Sequence, residues 1–154
     1  MRFLATTAVA LTVAATGAMA QDVVRVDPMT MEADALYSMQ GQLIRTRDIT
    51  GGDIYTSNEA HDEMSWGYEG VYDGVGADWN DIGDIEDIIL STDGQMIGVV
   101  AEIGGFLDIG DKHVMIPLKD VSLVPVDDAN YALITRYNEE QLEQLPGIDE
   151  GWWD

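Results

Sequence analysis

The chain has 154 residues with 29 acidic and 7 basic side chains, a formal net charge of −22, and no cysteine. The length is typical of one domain, and the lack of cysteine excludes disulfides, thiol catalysis and thiolate metal sites. The acidic excess argues against nucleic-acid binding, because such surfaces contact phosphates through Lys and Arg. Hydrophobic residues make up 46% of the chain, so we expect a folded core beneath a strongly negative surface.

The first twenty residues have the pattern of a secretory signal peptide. Arg2 precedes an apolar, alanine-rich stretch, and Ala18-Met19-Ala20 places small residues at the two positions that a signal peptidase reads. A retained membrane anchor is the alternative, but a spanning helix needs about 20 strongly apolar residues, and threonines dilute this stretch. The sequence therefore predicts cleavage after Ala20 and a periplasmic or secreted mature chain with no direct membrane span.

Two terminal segments flank the predicted body of the protein. Residues 21–41 read as an N-terminal arm with at most one short helix, over residues 31–39. Residues 147–154 read as a C-terminal tail, in which Trp152 and Trp153 either pack on the body or contact a partner.

From Gln42 onward, short runs of Ile, Val, Leu and Tyr at two-residue spacing alternate with Gly and Asp, a pattern typical of consecutive antiparallel strands. The clearest hairpin turns at Asp93-Gly94, because this pair tolerates the positive φ of a tight turn. On its second strand, four side chains share one face, which we expect to be core. They are Ile97, Val99, Ala101 and Ile103.

Three further strands are predicted over residues 114–118, 121–126 and 131–137. Pro117 has no amide proton to donate, so it should lie at an edge or a bulge. Five or six such strands favour a small closed barrel, because closure removes exposed strand edges.

A short C-terminal helix is expected after Asn138. This residue is followed three positions later by Gln141, which is the spacing of a capping box. The helix would direct Leu142 and Leu145 inward and end at Pro146.

The order of these motifs resembles the PRC-barrel family. The resemblance is carried by residues 44–55, 82–90, 97–100, 104–107 and 114–118, and by a family-like ending over residues 131–146. It implies an all-β fold, a small PRC-type β-barrel of five or six strands with a short C-terminal helix, over residues 42–146. Members share no catalytic residues and are associated with assembly and protein contacts. The resemblance therefore implies a scaffold or adaptor instead of an enzyme. Together with the signal peptide, it predicts a non-catalytic periplasmic adaptor without a cofactor, whose partner is an unidentified envelope protein.

The chain departs from the family at residues 57–81, where a short hairpin is expected. This insert is rich in aromatic and acidic side chains. Aromatic residues can anchor an interface, while acids select a basic partner. The candidate partner-binding residues are Trp66, Tyr68, Glu69, Tyr72, Asp73 and Trp79. The alternative is that the aromatic side chains cover one mouth of the barrel.

Cation binding is the alternative function, either at a loose carboxylate site or as salt adaptation of an acidic envelope protein. Residues 78–86 partly imitate a calcium loop, but Ile82 and Ile89 occupy two positions that need oxygen ligands. The two histidines, His61 and His113, have no recognisable catalytic setting, and no known catalytic or phosphate-binding motif is present. We therefore expect neither an enzyme nor a bound metal or cofactor.

Overall fold

The computed structural model describes residues 27, 30–66, 72–104, 112–149 and 151. The predicted signal peptide lies outside these residues. The chain divides into two units after Gly41. The first unit contains helix α1 (Ala33–Ser38), which confirms the short helix expected in the N-terminal arm and has no buried side chain. No helix among the described residues is long and apolar enough to cross a membrane.

The second unit contains a six-stranded sheet and two short helices. In chain order these elements are β1 (Asp53–Thr56), α2 (Glu63–Trp66), β2 (Asn80–Leu90), β3 (Met96–Ile103), β4 (Lys112–Pro117), β5 (Val121–Pro125), β6 (Tyr131–Thr135) and α3 (Glu139–Gln144). The sheet order is β4-β3-β2-β1-β6-β5, with β1 and β6 parallel and the other neighbours antiparallel. The all-β fold with a C-terminal helix is confirmed.

The sheet differs from the predicted closed barrel at its two ends. Among the described residues, β4 and β5 do not pair with each other, so the sheet is not closed. A single 3-10 turn, Leu118–Asp120, connects these two strands. The two strands lie at opposite ends of the sheet order and do not form a hairpin with each other. Pro117 ends β4, and the expectation that it lies at an edge is confirmed.

The β2–β3 hairpin at Asp93-Gly94 is confirmed, with Gly94 at a φ of 89°. The predicted core face is wrong at one position, since Ile97 is 50% exposed. A register shift explains this, because Ile89 lies opposite Gly98 while Leu90 lies opposite Met96. Ile97 is therefore the extra residue of a bulge, which displaces its side chain from the core face.

The predicted opening strand over residues 44–55 is largely wrong, because only Asp53–Thr56 is extended and paired. Before it, Arg45 donates from Nε to Asp48 Oδ2 at 2.8 Å and from its backbone amide to the same oxygen at 3.1 Å. These bonds close a 3-10 turn, and the side-chain bond lowers the pKa of Asp48. Gly51, at a φ of 76°, then turns the chain into β1.

The C-terminal helix forms as predicted. Asn138 Oδ1 accepts from the Gln141 amide at 2.9 Å, and Gln141 Oε1 accepts from the Asn138 amide at 3.1 Å. This capping box satisfies two backbone donors that have no partner inside the helix. Leu142 is fully buried against the main core, and Leu145 packs beside it. The tail residues Trp152 and Trp153 lie outside the described residues.

Candidate functional site

The insert forms the connection between β1 and β2. Asn80 and Asp81 pair with Thr56 and Tyr55, so β2 begins two residues inside the predicted insert. The connection between the strands therefore comprises residues 57–79, of which the structure describes 57–66 and 72–79. The insert thus spans residues 57–79 in the structure.

The insert packs on the outer face of the sheet. Ile54 and Leu133 are neighbours on β1 and β6 and belong to the main core. Successive side chains of a strand point to opposite faces, so the next residue of β6, Ile134, points outward. Ile134 forms a second buried cluster with Val124 of β5 and Trp66 of the insert.

An aromatic row continues from this cluster across the insert to β1. The ring centroids of Trp66 and Tyr72 lie 6.4 Å apart, those of Tyr72 and Trp79 lie 4.9 Å apart edge to face, and those of Trp79 and Tyr55 lie 6.4 Å apart. Such pairs add to the stability gained by burial. Gly76 allows this packing, because a Cβ there would lie 2.6 Å from the Trp79 ring.

The structure thus brings together three of the predicted site residues, Trp66, Tyr72 and Trp79. Trp66 is only 4% exposed, and the other two are partly buried. This packing fits the alternative that the aromatic side chains cover part of the fold instead of contacting a partner. They cover the outer face of the sheet, however, and not a barrel mouth. Asp73 is exposed, and its role in partner binding stays a prediction. Tyr68 and Glu69 lie outside the described residues.

Tyr55 at the end of the row links the aromatic packing to a carboxylate. Its hydroxyl donates to Asp53 Oδ2 at 2.9 Å. Burial, followed by this bond and the charges of Asp53 and Asp81, raises the pKa of Tyr55 from 10.0 to about 12. Since the folded pKa lies above the unfolded one, neutral Tyr55 stabilises the fold fully below a pH of about 10. This contribution is lost as the pH rises to about 12.

We therefore expect the Tyr55→Phe variant to lose less thermal stability than the native protein when the pH rises from about 10 to about 12. Melting curves followed by circular dichroism at several alkaline pH values measure this slope. The control is Tyr37→Phe, in which the ring is 78% exposed, and it should keep the native slope. Equal slopes for the native protein and Tyr55→Phe would contradict the prediction.

A polar cluster of Asp120, Arg136 and Tyr137 holds the first part of the insert; Asp120 is buried and the other two are partly buried. Asp120 is 1% exposed; its Oδ1 accepts from Arg136 Nε and its Oδ2 accepts from the Tyr137 hydroxyl at 2.8 Å. Burial lowers the pKa of Arg136, but the bond to Asp120 and the charge of that carboxylate outweigh this effect, so the pKa is raised. The guanidinium also lies over the Tyr137 ring, 4.5 Å from its centroid.

Arg136 connects this cluster to the insert by donating one hydrogen bond to His61 and accepting another from it. Its Nη1 donates to the carbonyl of His61 at 3.2 Å, and the His61 amide donates to the carbonyl of Arg136 at 3.2 Å. This cluster was not predicted from the sequence. The available signal was Arg136 itself, the one basic residue after Lys119, placed at the end of an apolar strand.

The insert exposes several acidic side chains to solvent. The exposed acids among its described residues are Glu59, Asp62, Glu63, Asp73 and Asp78. Two of them have local structural roles. Asp62 accepts from the amides of Met64 and Ser65, which lowers the pKa of Asp62, and Glu63 pairs with Lys119 at 2.7 Å.

Residues 78–86, which partly match a calcium loop in sequence, do not form such a loop. From Asn80 onward they belong to strand β2, in which Ile82 is fully buried. In the part of the chain that the structure describes, no group of three or more His, Asp or Glu side chains is placed to hold a metal ion.

Most of the sheet lies within a match to a known protein family. The family model of the PRC-barrel domain matches residues 70–140. The expected resemblance is confirmed. The match includes β2 to β6 and the start of α3 and leaves the first part of the insert outside it. PRC-barrel domains mediate protein interactions. No curated protein is similar enough to the chain to count as a match.

Proposed function

We propose that this protein is an exported, non-catalytic PRC-barrel module that binds a protein partner in the cell envelope. The PRC-barrel match supports an interaction or assembly role, and the signal-peptide pattern before Gln21 supports export. A fold alone does not assign a function, so the proposal depends on what the insert presents to solvent.

The orientation of the insert is the observation that carries the proposal. Its described aromatic side chains pack on the sheet, while five acidic side chains remain exposed. A surface of this kind attracts a positively charged partner and disfavours an acidic one, because complementary charge accelerates encounter and like charge opposes it. We therefore propose that the partner has a basic surface.

The Arg136 cluster supports the same proposal because it fixes the start of the insert. Reciprocal bonds between Arg136 and His61 and the burial of Trp66 hold the acidic side chains on an ordered segment before any partner binds. Such preorganisation reduces the entropy that binding must remove.

The proposal predicts that three neutralising substitutions in the insert abolish capture of the partner. The variant carries Glu59→Gln, Asp73→Asn and Asp78→Asn, which remove exposed charges without touching the aromatic packing. The measurement is crosslinking capture from an envelope extract by mature protein beginning at Gln21, with captured proteins identified by mass spectrometry.

A matched control changes the same amount of charge elsewhere. It carries Asp128→Asn, Glu140→Gln and Glu143→Gln, which are exposed and outside the insert. We expect this control to capture the same partner as the native protein. Equal capture by both triple variants would show that the insert acids do not select the partner.

A cation-binding or salt-adapted protein is the second candidate. A row of three carboxylates favours salt adaptation, in which cations screen repulsion without a coordinated site, since no metal-holding group is present among the described residues. Asp53, Asp84 and Glu102 lie in register across β1, β2 and β3, where directly opposed like charges are destabilising. Specific cation binding predicts that calcium raises the melting temperature far more than sodium at equal ionic strength. If calcium and sodium raised the melting temperature equally, both ions would only screen the repulsion between carboxylates, and specific cation binding would be contradicted.

A further inference from the structure

Helix α3 is bonded to the chain at the start of the insert and directly after its end. Near the start, the side-chain oxygen Oδ1 of Asn58 accepts from the backbone amide of Glu139 at 3.2 Å. After the end, Asn80 Nδ2 at the first position of β2 donates to Glu139 Oε1 at 3.1 Å. Glu139 is the first residue of α3. One residue of this helix therefore holds the insert on both sides.

The backbone around Asn58 fixes its side chain at the start of α3. Asn58 has a φ of 56°, in the left-handed region that asparagine adopts more readily than most other residues. Its amide donates to Thr56 Oγ1 at 3.0 Å, and the Thr56 hydroxyl donates to the carbonyl of Tyr137 at 2.6 Å. Since Thr56 is fully buried, these bonds hold the first residues of the insert against the segment that leads into α3.

The other end of α3 is bonded to β4, the last strand of the sheet order. Lys112, the first residue of β4, donates from Nζ to the carbonyls of Glu143 and Leu145 at 2.8 and 2.5 Å. Carbonyls at the end of a helix have no partner inside it, so Lys112 supplies bonds that α3 lacks. The insert and β4 are thus joined through the same helix.

A helix as short as α3 opens as one unit. Helices shorter than about 12 residues are marginal in water on their own, because the first turn is costly to form. α3 has six residues, so it depends on its capping box, on the buried Leu142 and on the bonds at its two ends. When the bonds at one end are lost, the helix that remains is too short to keep those at the other end.

We infer that α3 couples the insert to β4, so that α3 and the start of the insert open together. Opening of α3 releases Asn58 and Asn80 at the same time, and loosening of the insert removes support from the start of the helix. Cooperative local opening of this kind sets the exchange rates of individual amides in folded proteins. The coupling goes beyond the proposed function, because it concerns how the insert is held and not what it binds.

Amide hydrogen exchange of the mature protein, followed residue by residue by NMR, tests the coupling without a partner. One reporter is the amide of His61, which donates to the carbonyl of Arg136, and the other is the amide of Leu145, which donates to the carbonyl of Leu142. Both should exchange faster than the amide of Val100 in β3, because they become exposed by local opening. Equal exchange of His61 and Val100 would show that the insert opens only with the whole fold and would overturn the inference.

Lys112→Met removes the bonds at the far end of α3. We expect His61 and Leu145 both to exchange about tenfold faster in this variant, because bonds from a charged donor are lost. Lys112→Arg keeps a charged donor, so both reporters should exchange more slowly in it than in Lys112→Met. If Lys112→Met accelerated exchange at Leu145 alone, the insert would open independently of α3 and the inference would be wrong.

Asn58→Gly tests the coupling in the opposite direction. Glycine adopts the positive φ without strain but has no side-chain oxygen to accept from Glu139. We expect Leu145, at the other end of the helix, to exchange about threefold faster in this variant, because one hydrogen bond at the helix start is lost. Asn58→Asp keeps an acceptor and should exchange at the native rate.

A matched control and the second variant keep the test decisive. Glu140→Gln changes an exposed residue in the same first turn of α3 and should leave both reporters at the native rate. Asn58→Gly removes only an exposed bond, so it tests the coupling if Lys112→Met does not fold. Native exchange of Leu145 in Asn58→Gly would overturn the inference. Partner capture by the insert is measured separately, so failure of the coupling and failure of the proposed function are distinguishable.

Discussion

Replacing Arg136 by methionine is expected to lower the free energy of unfolding by about 3 kcal/mol, because removal of one partner leaves a buried charge uncompensated. The remaining carboxylate, Asp120, is 1% exposed. The expected loss is at the lower end for buried pairs, since the Arg136 side chain keeps 14% exposure and the Tyr137 hydroxyl still donates to Asp120. Urea denaturation followed by circular dichroism measures the change.

The matched control for this prediction is Lys119→Met, which breaks the ion pair with Glu63. Both side chains of that pair are more than half exposed, so the change in stability should be much smaller. Arg136→Met should also speed proteolytic cleavage within residues 57–66, because Arg136 bonds His61 there. Native stability together with native cleavage would contradict the assigned role of Arg136.

Replacing Trp66 by alanine is expected to lower the free energy of unfolding by about 3 to 5 kcal/mol, as is usual for a large aromatic side chain removed from a core. The reason is that Trp66 is 4% exposed and packs on Val124 and Ile134. Its removal would leave a cavity on the outer face of β5 and β6, beside Tyr72. Thermal and urea denaturation of the native chain and the variant measure the loss.

A neighbour on the same helix supplies the control. Met64 is 82% exposed and lies two residues before Trp66 in α2, so Met64→Ala should keep native stability. If Trp66→Ala also kept native stability, the insert would not be part of the folded body. Trp66 would then be a free anchor for a partner instead of a core residue.

Features that depend on neighbouring residues were predictable from the sequence. The turn at Asp93-Gly94 needs one residue with a positive φ, and the capping box of α3 needs only Asn138 and Gln141. Both formed as expected. The order of such local motifs was also enough to indicate the PRC-barrel family.

Contacts and registers between residues that are far apart in the sequence were not predictable from it. The pairing of Asp120 with Arg136 joins residues across the β5–β6 hairpin, and no local pattern marks either as buried. The bulge at Ile97 results from register between strands, which periodicity along one strand does not reveal. The face that the insert covers likewise follows from packing on Ile134 and Val124.

Partner binding by the insert can be tested by zero-length carbodiimide crosslinking, which joins a carboxylate to a lysine amine and so locates the partner on this surface. Mature protein would be crosslinked in an envelope extract and the linked residues identified by mass spectrometry. If the insert binds the partner, links should form from Glu59, Asp73 or Asp78 to lysines of one partner. Links confined to carboxylates outside the insert, such as Asp84 and Glu102, would contradict binding by the insert.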